Sequence, residues 1–118
     1  MATEVISPIQ GINKPYADTK DGEQKTEYGG ITQIPDAQHD IHIIHLARWA
    51  VDDYNKETES SLKFKRVVSA KKQIVSGINY YIILEATDHA GHHKKTYEAT
   101  VWEMNSRELL DFKELHHH

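Results

Sequence analysis

Cysteine is absent from this 118-residue chain, and basic residues are fewer than acidic ones. Without cysteine, the chain has no disulfide framework, no thiolate zinc site and no cysteine nucleophile. Lysine and arginine number 14 against 18 aspartates and glutamates, which gives a net charge of -4. This balance argues against a nucleic-acid partner, because phosphate binding depends largely on basic side chains that displace counterions. With 38% hydrophobic and 27% charged residues, the composition is that of one ordinary globular domain.

The sequence also lacks the long apolar runs that form transmembrane helices and signal peptides. No stretch approaches about 18 consecutive apolar residues, so no transmembrane helix is expected and the chain should be soluble, without a membrane partner. Residues 1–10 lack the basic start and the apolar segment of a signal peptide. The sequence leaves the location unknown, either cytoplasmic or secreted with the signal peptide already removed.

The motifs of common catalytic sites are absent as well. None of the patterns G-x-S-x-G, G-x-x-x-x-G-K-[ST] and H-E-x-x-H occurs. A nucleophile also needs a base and an orienting group within hydrogen-bond reach, and no histidine stands in such a setting. The sequence therefore predicts that the chain is not an enzyme.

Two groups of histidines are candidate metal ligands. They are His39, His42 and His45 at three-residue intervals, and His89, His92 and His93 in one turn. On a helix the first group would fan over about 120°, so at most two of its members could share one ion. The second group has only Asp88 placed to orient an imidazole. We expect exposed polar side chains in both groups, and we predict no metal and no other cofactor.

The chain divides into three segments. Apolar residues are sparse and unperiodic over residues 1–28, which predicts a mobile N-terminal tail because little surface can be buried to offset the ordering entropy. Residues 116–118 are three histidines and are interpreted as a purification tag. One folded domain over residues 29–115 remains, and we expect it to begin with a short strand from Ile31 to Ile34.

A helical pattern follows Pro35. Asp36 is the expected N-cap, and the helix is predicted from about Gln38 to Asn55. One stripe about 160° wide is apolar. It contains Ile43, Ile44, Leu46, Ala47, Ala50, Val51 and Tyr54. Polar residues occupy the opposite side, so the helix is expected to lie along an apolar surface.

After the helix, the hydrophobic period changes to two, which predicts strands. In each of four predicted strands, alternate residues form a more apolar face and a more polar face. The residues of the more apolar faces are, strand by strand, Leu62, Phe64, Arg66, Val68, Ala70, Lys72 and Ile74; Ile78, Tyr80, Ile82, Leu84 and Ala86; Lys95, Tyr97, Ala99 and Val101; and Leu110 and Phe112. Short turns between sequential strands predict an antiparallel meander. The expected fold class is α+β, with one amphipathic helix packed across a four- to five-stranded antiparallel sheet.

The turn between the first two long strands contains apolar residues where polar ones are usual. Gln73, Ile74, Val75, Ser76 and Gly77 occupy this turn. Ile74 and Val75 beside a flexible glycine indicate a surface that another molecule covers. The alternative is that both residues merely complete the strand.

Two segments carry a resemblance to a known family. Gln73–Gly77, QIVSG, matches the Q-x-V-x-G signature of the cystatins. Leu46–Asn55, LARWAVDDYN, resembles the L-A-R-F-A-V-x-x-x-N helix signature of the plant cystatins, with Trp49 where phenylalanine is usual.

Two further segments extend the resemblance to about residues 28–113. Gly29 and Gly30 stand where the family has its N-terminal glycine pair, and Tyr97–Trp102, YEATVW, is similar to the plant Y-E-A-x-V-W strand. The four motifs occur in the family's order. The absence of cysteine also fits the plant branch rather than the disulfide-bonded animal one. The resemblance implies a cystatin-like fold and a role in plant defence.

The resemblance implies a reversible, competitive inhibitor of papain-like cysteine proteases. In the family, an N-terminal trunk and two hairpins form a wedge that enters the protease cleft. Here the trunk would be Gly29 and Gly30, and the first hairpin Gln73–Gly77, with Ile74 and Val75 supplying apolar contact. Glycine would allow the backbone to approach the cleft closely.

The second hairpin departs from the family pattern. Plant cystatins usually carry Pro-Trp there, whereas Glu103–Ser106 is shorter and has neither residue. Trp102 belongs to the preceding strand motif, and Met104 is the weaker candidate for an apolar contact. A non-inhibitory binding scaffold of the same fold is therefore kept as the alternative function.

The expected assembly is a monomer, with a domain-swapped dimer as a possible second form. Val75 lies at a tight turn where strain could be stored, and opening that turn would merge two strands into one. The family is known for such dimers.

Overall fold

The computed structural model describes residues 29–88, 91 and 93–116, so the predicted N-terminal tail lies outside the described residues. Within them, one helix packs on an antiparallel sheet of five strands in the order β1-β2-β3-β4-β5. The elements are β1 Ile31–Gln33, α1 Ile41–Thr58, β2 Lys63–Val75, β3 Gly77–Thr87, β4 Lys94–Glu103 and β5 Arg107–Leu115. The predicted fold class and the meander are confirmed.

Helix α1 begins three residues later than the sequence suggested. Asp36 adopts a left-handed conformation, φ 53°, and makes no side-chain cap. The chain instead passes through a 3₁₀ turn, Ala37–His39, in which Ala37 is buried. Asp40 is the N-cap, because its Oδ1 accepts a hydrogen bond from the Ile43 amide at 3.1 Å. The prediction of Asp36 was wrong because two aspartates precede the apolar pattern and Pro35 favours a turn at the first.

The C-terminal end of α1 is fastened by Asn55. Its Nδ2 donates to the Leu62 carbonyl at 2.9 Å, and its Oδ1 accepts from the Leu62 amide at 3.0 Å. Glu59 ends the helix in a left-handed conformation, φ 57°, and its amide donates to the Asn55 carbonyl. One asparagine therefore fixes the path from the helix into β2.

The predicted apolar stripe of the helix forms one side of the core. Ile43, Leu46, Ala47, Ala50 and Val51 are buried, as are most of the predicted inward residues of β3 and β4. The latter are Tyr80, Ile82, Leu84, Ala86, Tyr97, Ala99 and Val101. Ile78 is half-buried and Lys95 is exposed, against the prediction. Removing a side chain such as Leu46 would cost about 2–5 kcal/mol of unfolding free energy.

Strand β2 does not follow the strict alternation predicted for it. Its pairing with β3 shifts register between Phe64 and Arg66 and again between Val67 and Ser69. Each bulge adds one residue, so Val67 faces the core at 1% exposure while Arg66 is exposed. A bulge changes which alternate residues face the core, and the hydrophobic pattern of the sequence does not show where the bulge lies.

The edge strand β5 also contains an irregularity. Thr100 pairs with Asp111 and the next residue, Val101, pairs with Leu109, so Leu110 is skipped and is 51% exposed. Leu109 and Phe112 pack against the core instead. The prediction of Leu110 as an inward residue was therefore wrong.

Antiparallel pairing gathers three turn segments at one end of the sheet. Ile31 pairs with Gln73, which places Gly29 and Gly30 beside the β2–β3 turn. Ile78 pairs with Glu103, which places the β4–β5 turn next to it. No helix in the described part of the chain is long and apolar enough to cross a membrane.

Candidate functional site

The β2–β3 turn, which we call the first hairpin, is extremely short. Val75 ends β2, Gly77 begins β3, and Ser76 alone lies between them, exposed to solvent. Gly77 has φ +90°, and a Cβ there would lie 2.7 Å from Trp102 Nε1 and 2.8 Å from the Glu103 carbonyl. Glycine is required for both reasons, because a side chain would be strained and would also collide with its neighbours.

Trp102 supports the first hairpin from β4. Its Nε1 donates to the Ser76 carbonyl at 2.6 Å. The sequence assigned Trp102 only to its strand, and this contact was missed. The alternation of the strand gives part of this contact, because Trp102 follows the buried Val101 and its side chain therefore lies on the opposite face of the sheet.

The N-terminal trunk is joined to the same hairpin. The Gly29 amide donates to the Ile74 carbonyl at 3.0 Å, and Gln73 Nε2 donates to the Gly29 carbonyl at 2.8 Å. The Tyr81 hydroxyl donates to Gln73 Oε1 at 2.6 Å. Gly29 has φ +80°, with nothing within 4 Å of a Cβ, so conformation rather than space favours glycine there. The structure thus brings the predicted residues Gly29 and Gln73 together, with Gly30 next in the chain.

Apolar side chains border these main-chain groups. Ile74 and Val75 are half-buried, while Ile31 on the adjacent β1 is 58% exposed. An exposed aliphatic side chain beside an exposed turn is a surface suited to contact with another protein.

The β4–β5 turn, which we call the second hairpin, comprises residues 103–107. Glu103 pairs with Arg107, and the Met104 amide donates to the Ser106 carbonyl at 2.9 Å. Met104 is 57% exposed. Met104 is therefore available at the same end of the sheet as the first hairpin.

Charged and aromatic groups surround the base of the second hairpin. Glu103 Oε1 accepts from His42 Nε2 at 2.7 Å, and Glu103 Oε2 accepts from Arg107 Nη2 at 3.2 Å. The His42 ring meets the Tyr80 ring edge-on, with centroids 5.8 Å apart. Burial raises the pKa of the Tyr80 phenol, and the carboxylates of Glu103 and Asp40 raise this pKa further.

The histidines that the structure describes do not converge on a common point. His39 pairs with Asp36 at 2.8 Å, His42 with Glu103 at 2.7 Å and His93 with Asp88 at 3.3 Å. Among the described residues, no group of three potential ligands is placed to hold a metal ion. His89 and His92 lie outside the described residues.

Comparisons with known proteins agree on a family. Residues 35–115 match the family model described as an aspartic acid proteinase inhibitor. Cysteine proteinase inhibitor A of Helianthus annuus is 50% identical over 76 residues, which cover 62% of this chain and 90% of that protein. Cysteine proteinase inhibitor 1 of Oryza sativa is 42% identical over 87 residues, 74% of this chain and 58% of the rice protein. Cystatin-1 of Zea mays is 41% identical over 88 residues, 72% of this chain and 64% of the maize protein. The chain thus spans less than two thirds of the rice and maize proteins.

Solved structures with the same fold include the salivary cystatin of the soft tick Ornithodoros moubata, with a TM-score of 0.64 and 17% identity. That match covers 75% of this chain and 98% of the tick chain. Dimeric human cystatin F matches with a TM-score of 0.60 and 22% identity over 85% of this chain and 97% of its own.

One helix laid on a five-stranded antiparallel sheet, with its turns gathered at one end, is the cystatin fold. The chain belongs to the plant cystatin family, as its identity to the sunflower, rice and maize proteins shows. These relatives are proteinase inhibitors rather than enzymes, and the expectation that this chain is not an enzyme is confirmed.

Proposed function

We propose that this chain is a reversible, competitive inhibitor of papain-like cysteine proteases. The observation that carries the proposal lies at the end of the sheet that holds both hairpins, which we call the binding edge. There Gly29 is joined to the first hairpin by main-chain and side-chain hydrogen bonds. A binding edge whose parts are already held together loses little conformational freedom on association. The relatives named cysteine proteinase inhibitors support the same assignment.

We propose that the binding edge blocks the active-site cleft of the protease and does not react with its catalytic thiol. Ile74 and Val75 would contact the apolar walls of the cleft, and the exposed Ser76 turn would offer main-chain groups to polar partners. No peptide bond of the inhibitor has to be aligned with the catalytic thiol. Inhibition without cleavage follows from this arrangement.

Titration of a papain-like protease, whose concentration of active sites is known, with this protein tests the proposal. We expect stoichiometric loss of activity with the wild type, and strong weakening with Val75→Asp, because a charge would be placed in an apolar contact. Leu110→Asp is the matched control, since Leu110 is an exposed apolar strand residue on the edge strand β5. Equal weakening by both variants would remove the first hairpin from the mechanism. No inhibition by the wild type at micromolar excess would favour the non-inhibitory scaffold.

A second candidate function is inhibition of aspartic proteinases. The observation that favours it is the match of residues 35–115 to the aspartic acid proteinase inhibitor family, a match that excludes Gly29 and Gly30. The same titration against a pepsin-like enzyme separates the two candidates. If the aspartic proteinase is the target, deletion through Gly30 should leave its inhibition intact. If the cysteine protease is the target, the same deletion should weaken inhibition.

The proposed inhibitory form is the monomer. In a dimer formed by opening the first hairpin, the turn would be lost and inhibition should disappear. The described non-glycine residues with positive φ are Asp36 and Glu59, so Val75 does not carry the backbone strain that was expected there. Mild heating, size-exclusion chromatography and an inhibition assay on each peak test this form of assembly. A dimer as inhibitory as the monomer would contradict it.

A further inference from the structure

The base of the second hairpin is fastened to helix α1 by side chains far apart in the sequence. Glu103 on β4 accepts hydrogen bonds from His42 on α1 and Arg107 on β5. The Arg107 guanidinium lies over the Trp49 ring of α1, 5.7 Å from its centroid. The Glu103 side chain is 21% exposed, so it is partly shielded from water. Such shielding strengthens its hydrogen bonds relative to those of a fully exposed carboxylate.

Among the residues that the structure describes, none gives the tip of the hairpin comparable side-chain support. Residues 104–106 are all exposed. An open pocket of about 320 Å³ lies between the tip and the helix. Its lining is Trp49, Glu103, Met104, Asn105, Ser106 and Arg107. The position of the tip therefore depends on the base of the hairpin, because apolar packing beneath the tip is incomplete.

We propose that His42, Trp49, Glu103 and Arg107 form a clamp that positions the second hairpin, so that Met104 makes the third contact with the target protease. The proposal rests on the proposed inhibitory function, which it deepens. The four clamp residues are positioning residues, because they act through the hairpin and Met104 touches the partner. The clamp takes the place of the rigidity that a longer, proline-containing hairpin would supply.

The clamp and the adjacent Tyr80 bring together side chains from three strands and the helix. His42 contacts Glu103 from β4 and Tyr80 from β3, and Arg107 from β5 shares the Glu103 carboxylate. A charged donor makes a stronger hydrogen bond to a carboxylate than a neutral donor does, so Glu103 is the group on which the clamp depends.

The experiment compares two glutamates of the same strand. Glu103→Gln removes the charge of the clamp, whereas Glu98→Gln removes a carboxylate that pairs with Lys113 at 3.7 Å, away from both hairpins. Affinity for a papain-like protease is measured for both variants, for Met104→Ala, and for Glu103→Gln combined with Met104→Ala. We expect Glu103→Gln to weaken binding about three- to tenfold and Glu98→Gln to have little effect. The Glu103 effect should largely vanish when Met104 is already alanine, because the clamp acts through that side chain.

A second measurement on the free protein does not depend on any protease. Hydrogen exchange at the Met104 amide, which bonds to the Ser106 carbonyl, should accelerate in Glu103→Gln and not in Glu98→Gln.

The possible results separate the clamp from the inhibitory function. Additive losses in the double variant, or unchanged exchange at Met104, would overturn the clamp while leaving inhibition by the first hairpin intact. Failure of the wild type to inhibit would overturn the proposed function together with the binding role of Met104. In that case, hydrogen exchange alone would decide whether the clamp positions the hairpin, with unchanged exchange counting against it.

Discussion

The two hairpins at the proposed binding edge are held by different kinds of interaction. The first depends on backbone geometry, since Gly77 has a positive φ and the Ser76 carbonyl accepts the Trp102 Nε1 hydrogen bond. The second depends on charged side chains that converge on Glu103. Added salt does not change backbone conformation, whereas it screens ion pairs near the surface. We therefore expect the first hairpin to bind under all conditions and the second to act as an adjustable contact.

The largest expected effect comes from Gly77→Ala. The new Cβ would meet Trp102 Nε1 at 2.7 Å and the Glu103 carbonyl at 2.8 Å, so both hairpins would be displaced. Conformational strain and overpacking together should cost about 2–4 kcal/mol of unfolding free energy, and protease affinity should fall about 100-fold or more. Thermal unfolding and inhibition assays measure the two effects.

Gly91→Ala is the matched control for this substitution. Gly91 also has a positive φ, +72°, but no atom of the described residues lies within 4 Å of the position that its Cβ would take. This control should lose about 1 kcal/mol of stability and no affinity. If Gly77→Ala behaved like Gly91→Ala, the contact with Trp102 would not be what shapes the first hairpin.

Two tryptophan substitutions compare the supports of the two hairpins directly. Trp102→Phe removes the donor to the Ser76 carbonyl, which is worth about 1 kcal/mol and about a fivefold loss of affinity. Trp49→Phe retains an aromatic ring beneath Arg107, so we expect a smaller loss. Inhibition constants for both variants, measured at low and high salt, check this order. A larger loss for Trp49→Phe would reverse the comparison between the hairpins.

The features that could be predicted from the sequence are those that depend on residues close together in the chain. The apolar face of the helix around Leu46 and the buried faces of β3 and β4 follow from the hydrophobic periods, and Gln73–Gly77 is a contiguous motif. The bulges of β2 could not be predicted, because an inserted residue changes the phase without changing the composition.

The interactions that were missed join residues distant in the chain. His42 and Glu103 are 61 positions apart, and Trp102 and Ser76 are 26 apart. Neither pair leaves a periodic signal, and only the strand register brings the partners together. The positions of the hairpins were thus predictable, whereas the contacts that hold them required the structure.

A smaller effect is expected at the junction between the trunk and the first hairpin. Tyr81→Phe removes the hydroxyl that donates to Gln73 Oε1, and Gln73 then holds the Gly29 carbonyl less firmly. We expect about a two- to fivefold loss of affinity, consistent with one hydrogen bond. Deleting residues 1–25 should change little, whereas deletion through Gly30 should weaken inhibition and abolish the effect of Tyr81→Phe. A Tyr81→Phe loss that persists without the trunk would show that the hydroxyl acts elsewhere.

The smallest expected effect on binding tests whether any ion-pair cluster can influence the edge. On the opposite face of the sheet, Glu85 pairs with Arg66 at 2.8 Å and Lys94 at 3.5 Å. The hydrogen bond from Arg66 lowers the pKa of Glu85 from its ordinary value of 4.5, against an opposing effect of burial. A carboxylate with a lowered folded-state pKa adds stability above its unfolded-state pKa, and that stability is lost as pH falls through the folded-state pKa.

Glu85→Gln should therefore lower the unfolding free energy near neutral pH, and its difference from the wild type should shrink as pH falls below 4.5. Its protease affinity should match that of the wild type, in contrast to Glu103→Gln. Denaturant unfolding across this pH range and one inhibition assay check both points. A loss of affinity in Glu85→Gln would show that the edge responds to the charge of the whole sheet rather than to the Glu103 clamp.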